Sequence, residues 1–176
     1  MRGLILLLGI IILGINNLLA QPSVRINIVL NHVQNLTINP DQQVVNLNYN
    51  TLDDYRTGVE VTKNAHLSVF STTPYEVKVK LANNEFVKLG SEYEERVSMP
   101  DIQVSPVSTT QNSEVEFSTS VLTTEGRKII SSSVPTTSAV YNIQYKGPKG
   151  ENIIRFAERN KTIVFYNDVL YSIETK

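Results

Sequence analysis

The 176-residue chain contains no cysteine. That absence excludes a disulfide framework, a thiolate metal site, a thiol nucleophile and a lipid-modified cysteine at a processed N-terminus, and it leaves packing to hold the fold. Tryptophan is missing as well, and only two histidines, His32 and His66, are available for imidazole chemistry. Neither sign of charge is in excess: 16 Lys and Arg offset 17 Asp and Glu to a formal net charge of −1. No long block of one sign could track a phosphate backbone or an anionic bilayer, which argues against nucleic-acid partners. What the chain does have is 8 tyrosines and recurrent Val, Thr, Ser, Ile and Asn, residues that suit a pleated surface rather than a helix.

Long apolar runs are scarce too, and the one present lies at the start. Arg2 precedes an unbroken apolar stretch over residues 3–15, which ends at Asn16 and Asn17. A basic start, a short apolar core and a small residue before a cleavage point together make an export signal. The run falls short of the roughly 18–20 residues that span a bilayer, and small Ala20 before Gln21 places the cleavage point. The alternative is an uncleaved anchor, favoured by Leu18, which is larger than the residue usual two positions before such a site. The expectation is a signal peptide over residues 1–20 and one domain over residues 21–176. The product would be periplasmic, on the outer cell surface or extracellular, with no transmembrane anchor after cleavage.

Beyond that segment, apolar residues recur with period two, which puts them on one face of a strand. Val24, Ile26, Ile28 and Leu30 share a face, and Leu36 and Ile38 repeat the pattern in a second strand before a turn at Asn39-Pro40-Asp41. Val45, Leu47 and Tyr49 alternate with Asn46, Asn48 and Asn50, residues 51–58 hold a single helical turn, and Val59 and Val61, then Ala65, Leu67 and Val69, resume the pattern. Tyr75, Val77, Val79 and Leu81 face inward, with Glu76, Lys78 and Lys80 outward, and a turn at Asn83-Asn84 leads to a strand over residues 86–89 that pairs back as a hairpin. A short strand over residues 102–104 lies between Pro100 and Pro106, residues 115–121 alternate, and residues 131–138 (SSSVPTTS) read as a loop. Ala139, Tyr141, Ile143 and Tyr145 form a strand, and Val169, Tyr171 and Ile173 close the chain. No stretch sustains a 3.6-residue period. The pattern predicts an all-β, mostly antiparallel two-sheet sandwich, with an open barrel as the alternative.

Chemistry finds little support. A nucleophilic hydrolase needs a base beside its nucleophile and a third group to orient that base. His66 alternates with Leu67 and Val69 and is expected to face outward, while His32 falls in a turn. Paired carboxylates for glycosidic cleavage would have to come from Asp53-Asp54 or from Glu92, Glu94 and Glu95, both in polar segments expected to be solvated. Asn48, Asn50, Asp53 and Asp54 offer oxygen ligands for calcium, although the glycine-containing calcium loop is missing and the same residues fit a polar strand face leading into a turn. Two distant histidines match no zinc spacing. Asn35-Leu36-Thr37 and Asn160-Lys161-Thr162 fit the glycan acceptor pattern, which is common by chance. The expectation is therefore no catalytic residue, no metal and no cofactor.

The segments VRINIVL with LTINP, VVNLNY, DDYRTGVEV, HLSVFST before YEVKVKL, and the closing VLYSI resemble a group of small secreted β proteins of Gram-negative bacteria, most of unassigned function. More distantly, the arrangement is similar to spore coat protein U-like and chaperone-usher pilus subunits, although the cysteine pair frequent in pilus subunits is missing. The resemblance implies an immunoglobulin-like sandwich and a structural or adhesive role at the cell surface, as in a fimbrium or coat. It also implies self-association by strand exchange, in which one subunit's N-terminal strand completes a neighbour's sheet. Val24, Ile26, Ile28 and Leu30 are the candidate donor strand, and the alternative is that they form the domain's own first strand. A monomeric extracellular module that binds carbohydrate, calcium or a protein is the competing function.

Overall fold

The computed structural model describes residues 24–90, 93–107 and 113–176, so the proposed signal peptide and its junction at Ala20 lie outside the described residues. The chain divides into two units, one that ends at Asn31 and one that runs His32–Lys176. In the first, residues 24–31 carry neither helix nor strand, so the strand expected over residues 24–30 is not formed.

In chain order the strands of the second unit are β1 (Gln34–Ile38), β2 (Glu60–Ser71), β3 (Tyr75–Leu81), β4 (Phe86–Lys88), β5 (Arg96–Val97), β6 (Gln103–Val107), β7 (Val115–Phe117), β8 (Ser120–Val121), β9 (Arg127–Ser132), β10 (Thr136–Lys146), β11 (Phe165–Tyr166) and β12 (Val169–Thr175). Among the described residues, two short α-helices, α1 (Leu52–Thr57) and α2 (Glu151–Ile154), and a 3-10 turn over Pro40–Gln42 interrupt them. One sheet has the order β1-β2-β10-β6-β8 and a second the order β12-β3-β9-β7, while β11-β4-β5 forms a small third. Every ladder among the described residues is antiparallel. The protein is an all-β sandwich, as the alternation predicts.

The core lies between the two larger sheets. Leu67, Val69, Val104 and Ile143 from the first meet Tyr75, Val77, Val79 and Ile130 from the second, all with 2% or less of their surface exposed. Burying each aliphatic side chain contributes about 1.5–3 kcal/mol before entropy is counted. With no disulfide to restrict the unfolded chain, this layer is the main source of stability. Tyrosines tie the faces together: Tyr75 on β3 hydrogen-bonds Tyr141 on β10, and Tyr145 on β10 bonds Tyr171 on β12 at 2.6 Å.

Several local expectations are corrected. β4 does not form a hairpin with β3, whose two neighbours are β12 and β9; it pairs instead with β5 and β11. Residues 131–138 are mostly not loop: Ser131 and Ser132 are buried at the end of β9, and Thr136 begins β10. The alternation over residues 115–121 belongs to two strands in different sheets. β6 runs through Pro106, which it can do because β8 pairs only with Gln103 and Val104, so β6 is an edge where the N–H is missing. Val45, Leu47 and Tyr49 are half-buried, as their alternation predicts, yet they lie in an extended stretch outside any ladder, anchored by the Tyr49 hydroxyl donating to Pro148 O at 2.6 Å.

Candidate functional site

His66 is not on the surface. It is 2% exposed, and the cause is a bulge in β2. Tyr141 pairs with Leu67 and Ile143 with Lys63, so Asn142 alone opposes Asn64, Ala65 and His66. Ala65 takes a positive φ of 51° and donates its N–H to Asn142 Oδ1 at 2.7 Å. The two extra residues break the alternation locally, turning His66 inward beside Leu67 and leaving Ala65 exposed rather than on the apolar face where the alternation puts it, while Val61, Leu67 and Val69 keep one phase.

His66 then heads a polar chain inside the sandwich. Its Nδ1 lies 3.2 Å from Gln42 Oε1, its Nε2 lies 2.9 Å from the Tyr145 hydroxyl, and Tyr145 bonds Tyr171. An amide oxygen can only accept, so the partners assign the proton to Nδ1 and leave Nε2 to accept from Tyr145, whose oxygen accepts from Tyr171. Burial lowers the His66 pKa, and Lys63 adds to the effect. Burial pushes Tyr145 up to about 12 and raises Tyr171 further. At neutral pH the chain is uncharged. No Ser, Thr or carboxylate bonds the imidazole among the described residues, so the arrangement joins sheets rather than activating a nucleophile. His32 is exposed, with Nε2 3.1 Å from Thr73 Oγ1, and no carboxylate is bonded to it among the described residues.

Asp53 is exposed on α1, while Asp54, Glu94 and Glu95 are committed to local structure. Asp54 caps α1: its Oδ2 accepts from the N–H groups of Asn50 and Thr51 at 2.8 and 2.7 Å, while its own N–H donates to Thr51 Oγ1. Those backbone N–H bonds lower its pKa. Among the described residues, no group of three His, Asp or Glu side chains gathers as metal ligands. Glu94 pairs with Arg96, and Glu95 with Lys88, which also binds Glu158; Glu92 lies outside the described residues. Lys88, Glu158 and Lys161 line a cleft of about 310 Å³. Lys88 and Lys161 pull the Glu158 pKa down to about 2, the opposite of what a general acid requires.

What remains is a surface feature. Val24, Ile26, Ile28 and Leu30 are 80–88% exposed, and Val29 is 79% exposed. In the second unit, β12 is the longest edge strand among the described residues, with seven residues and no bulge in its ladder to β3. Its inward side chains Val169, Tyr171 and Ile173, with Leu36 and Ile38 of nearby β1, are only half-buried, unlike the central core. A long flat edge is usually shielded by charge, proline or a bulge; β12 has Glu174 alone, beside exposed Leu170. The sequence marks the apolar segment, but which strand forms an edge follows from sheet order, which alternation does not encode.

In comparisons with known proteins, no family model and no curated protein matches the chain. Among the described residues, no helix is long and apolar enough to cross a membrane.

Proposed function

We propose that the protein is an exported, non-enzymatic structural or adhesive component of the cell surface, an immunoglobulin-like sandwich that assembles by giving its N-terminal apolar segment to the sheet of another copy. The observation that carries this reading is the state of residues 24–30. Four alternating apolar side chains, Val24, Ile26, Ile28 and Leu30, stand exposed in a segment without a strand. Each would gain about 1.5–3 kcal/mol on burial. Strand addition buries one face of such a segment and satisfies its main chain at once. The absence of catalysis is supported by the imidazole of His66 being tied to Gln42 and Tyr145, and by the carboxylates of Asp54, Glu95 and Glu158 serving caps and ion pairs.

The test is gel filtration of the exported product of the full-length gene over a range of concentrations. Species larger than one chain are expected, and Ile26→Asp with Ile28→Asp should return them to a monomer of unchanged far-ultraviolet circular dichroism. A wild-type protein that stays monomeric at every concentration rejects the reading.

A further inference from the structure

Accepting strand donation, we infer that the acceptor is the β12 edge of a second copy, and that residues 24–30 add to it antiparallel, Val24 opposite Thr175 and Leu30 opposite Val169. The first support is the direction of the backbone groups. Lys176 N–H donates to Pro74 O, and Ala82 N–H donates to Asp168 O. In an antiparallel ladder, bonds so placed make Thr175↔Tyr75 and Val169↔Leu81 pairs that exchange no hydrogen bonds with each other. The N–H and C=O groups of Val169, Tyr171, Ile173 and Thr175 therefore point away from β3, toward the open edge. A seven-residue donor meets a seven-residue acceptor.

The second support is the match of side chains. In this register, Ile26 falls beside Ile173, Ile28 beside Tyr171 and Leu30 beside Val169, extending the inward face where β12 and β1 leave the core half-covered. On the outward face Arg25 meets Glu174, Asn27 meets Ser172, and Val29 meets Leu170. Val29 and Leu170 are both exposed apolar residues in the free chain. Arg25 would extend a charge pattern already present on that sheet, in which Lys128 pairs with Glu76 and Lys78 with Glu174, ending on an acid at the edge. These outward pairs are the ones that exchange no backbone bonds, so their side chains approach most closely. The parallel arrangement sets Arg25 against Leu170 and Val29 against Glu174, and loses both matches.

The third support is reach. Thr72 N–H donates to Val33 O at 3.0 Å, which holds Val33 at the end of the sandwich where β12 terminates, since Lys176 bonds Pro74 there. Val169 lies six residues back along β12, roughly 20 Å away. The three residues from Val33 to Leu30 span at most about 11 Å. A chain can therefore lay residues 24–30 on its own β12 only in the parallel sense. The antiparallel register requires another molecule.

The chain's lack of cysteine makes a direct test available. Two single-cysteine variants of the full-length protein, Val29→Cys carrying an affinity tag and Leu170→Cys without one, a pair that only the antiparallel register brings together, are exported, purified, mixed and oxidised. A disulfide-linked heterodimer is expected, while Val29→Cys mixed with Ser68→Cys, an exposed position on β2, should give none. In parallel, Arg25→Glu and Glu174→Arg should each weaken association about tenfold, and combining both in one chain should restore it. If association occurs and is abolished by Ile26→Asp with Ile28→Asp, but the 29–170 pair does not cross-link above the 29–68 control and the charge swap fails to rescue, the antiparallel β12 assignment is overturned while strand donation stands. A strictly monomeric wild type overturns both.

Discussion

A neutral imidazole inside a β-sandwich makes stability depend on pH in a direction that can be worked out. Burial holds the folded pKa of His66 below its ordinary value of 6.5. Above pH 6.5 the residue is neutral in both states and its contribution is complete. Below that, the unfolded chain takes up a proton before the folded one does, so stability falls as pH falls, by at most about 1.4 kcal/mol per pH unit for one proton. The gap in unfolding free energy between the wild type and His66→Gln, measured by urea denaturation, should therefore be widest at pH 7 and narrow toward pH 5. A gap that stays constant would show that the imidazole titrates alike in both states. The polar chain to Tyr145 and Tyr171 is also what a sandwich without disulfides uses to tie its sheets together near an open margin.

At the scale of elements, helix α1 shows how a polar segment acquires structure without a core. Thr51 and Asp54 cap each other's backbone at its start, and Gly58 ends it with φ 84° and ψ 163°, a region essentially reserved for glycine. A Cβ at Gly58 would also come within 2.9 Å of Gly147 O, whereas one at Gly90, φ 77°, would meet nothing within 4 Å. Gly58→Ala should cost about 1–3 kcal/mol and lower the urea midpoint at unchanged m-value, with Gly90→Ala costing less. Equal losses at the two sites would leave backbone strain as the sole cause. This helical turn was legible from composition, and β3 from strict alternation of apolar and charged residues. The orientation of His66 was not, because the bulge at Ala65 turns His66 inward beside Leu67 while leaving the phase of Val61, Leu67 and Val69 unchanged, and a bulge reads in sequence as a continuous strand. β9 was hidden for a different reason: Ser131 and Ser132 are buried hydroxyls, and small polar residues in a covered strand carry no hydrophobic signal. Ladder partners such as β4 with β11 depend on contacts between residues far apart in the chain, which period alone cannot rank.

For the whole molecule, the segment that does most to define the proposed function lies outside the unit that carries the core. Stability of the sandwich and occupancy of its β12 edge are thus separate quantities linked by mass action. A second copy that binds the folded state and not the unfolded one raises the unfolding free energy in proportion to the logarithm of its free concentration over its dissociation constant, about 2.7 kcal/mol at a hundredfold excess. The melting temperature of the wild-type protein should accordingly climb with protein concentration. The Ile26→Asp, Ile28→Asp variant should melt at a temperature independent of concentration, near the low-concentration limit of the wild type, because every strand among the described residues lies within His32–Lys176. Were the variant to melt far below that limit, residues 24–30 would be supporting their own domain, and the segment would act within the molecule rather than between molecules.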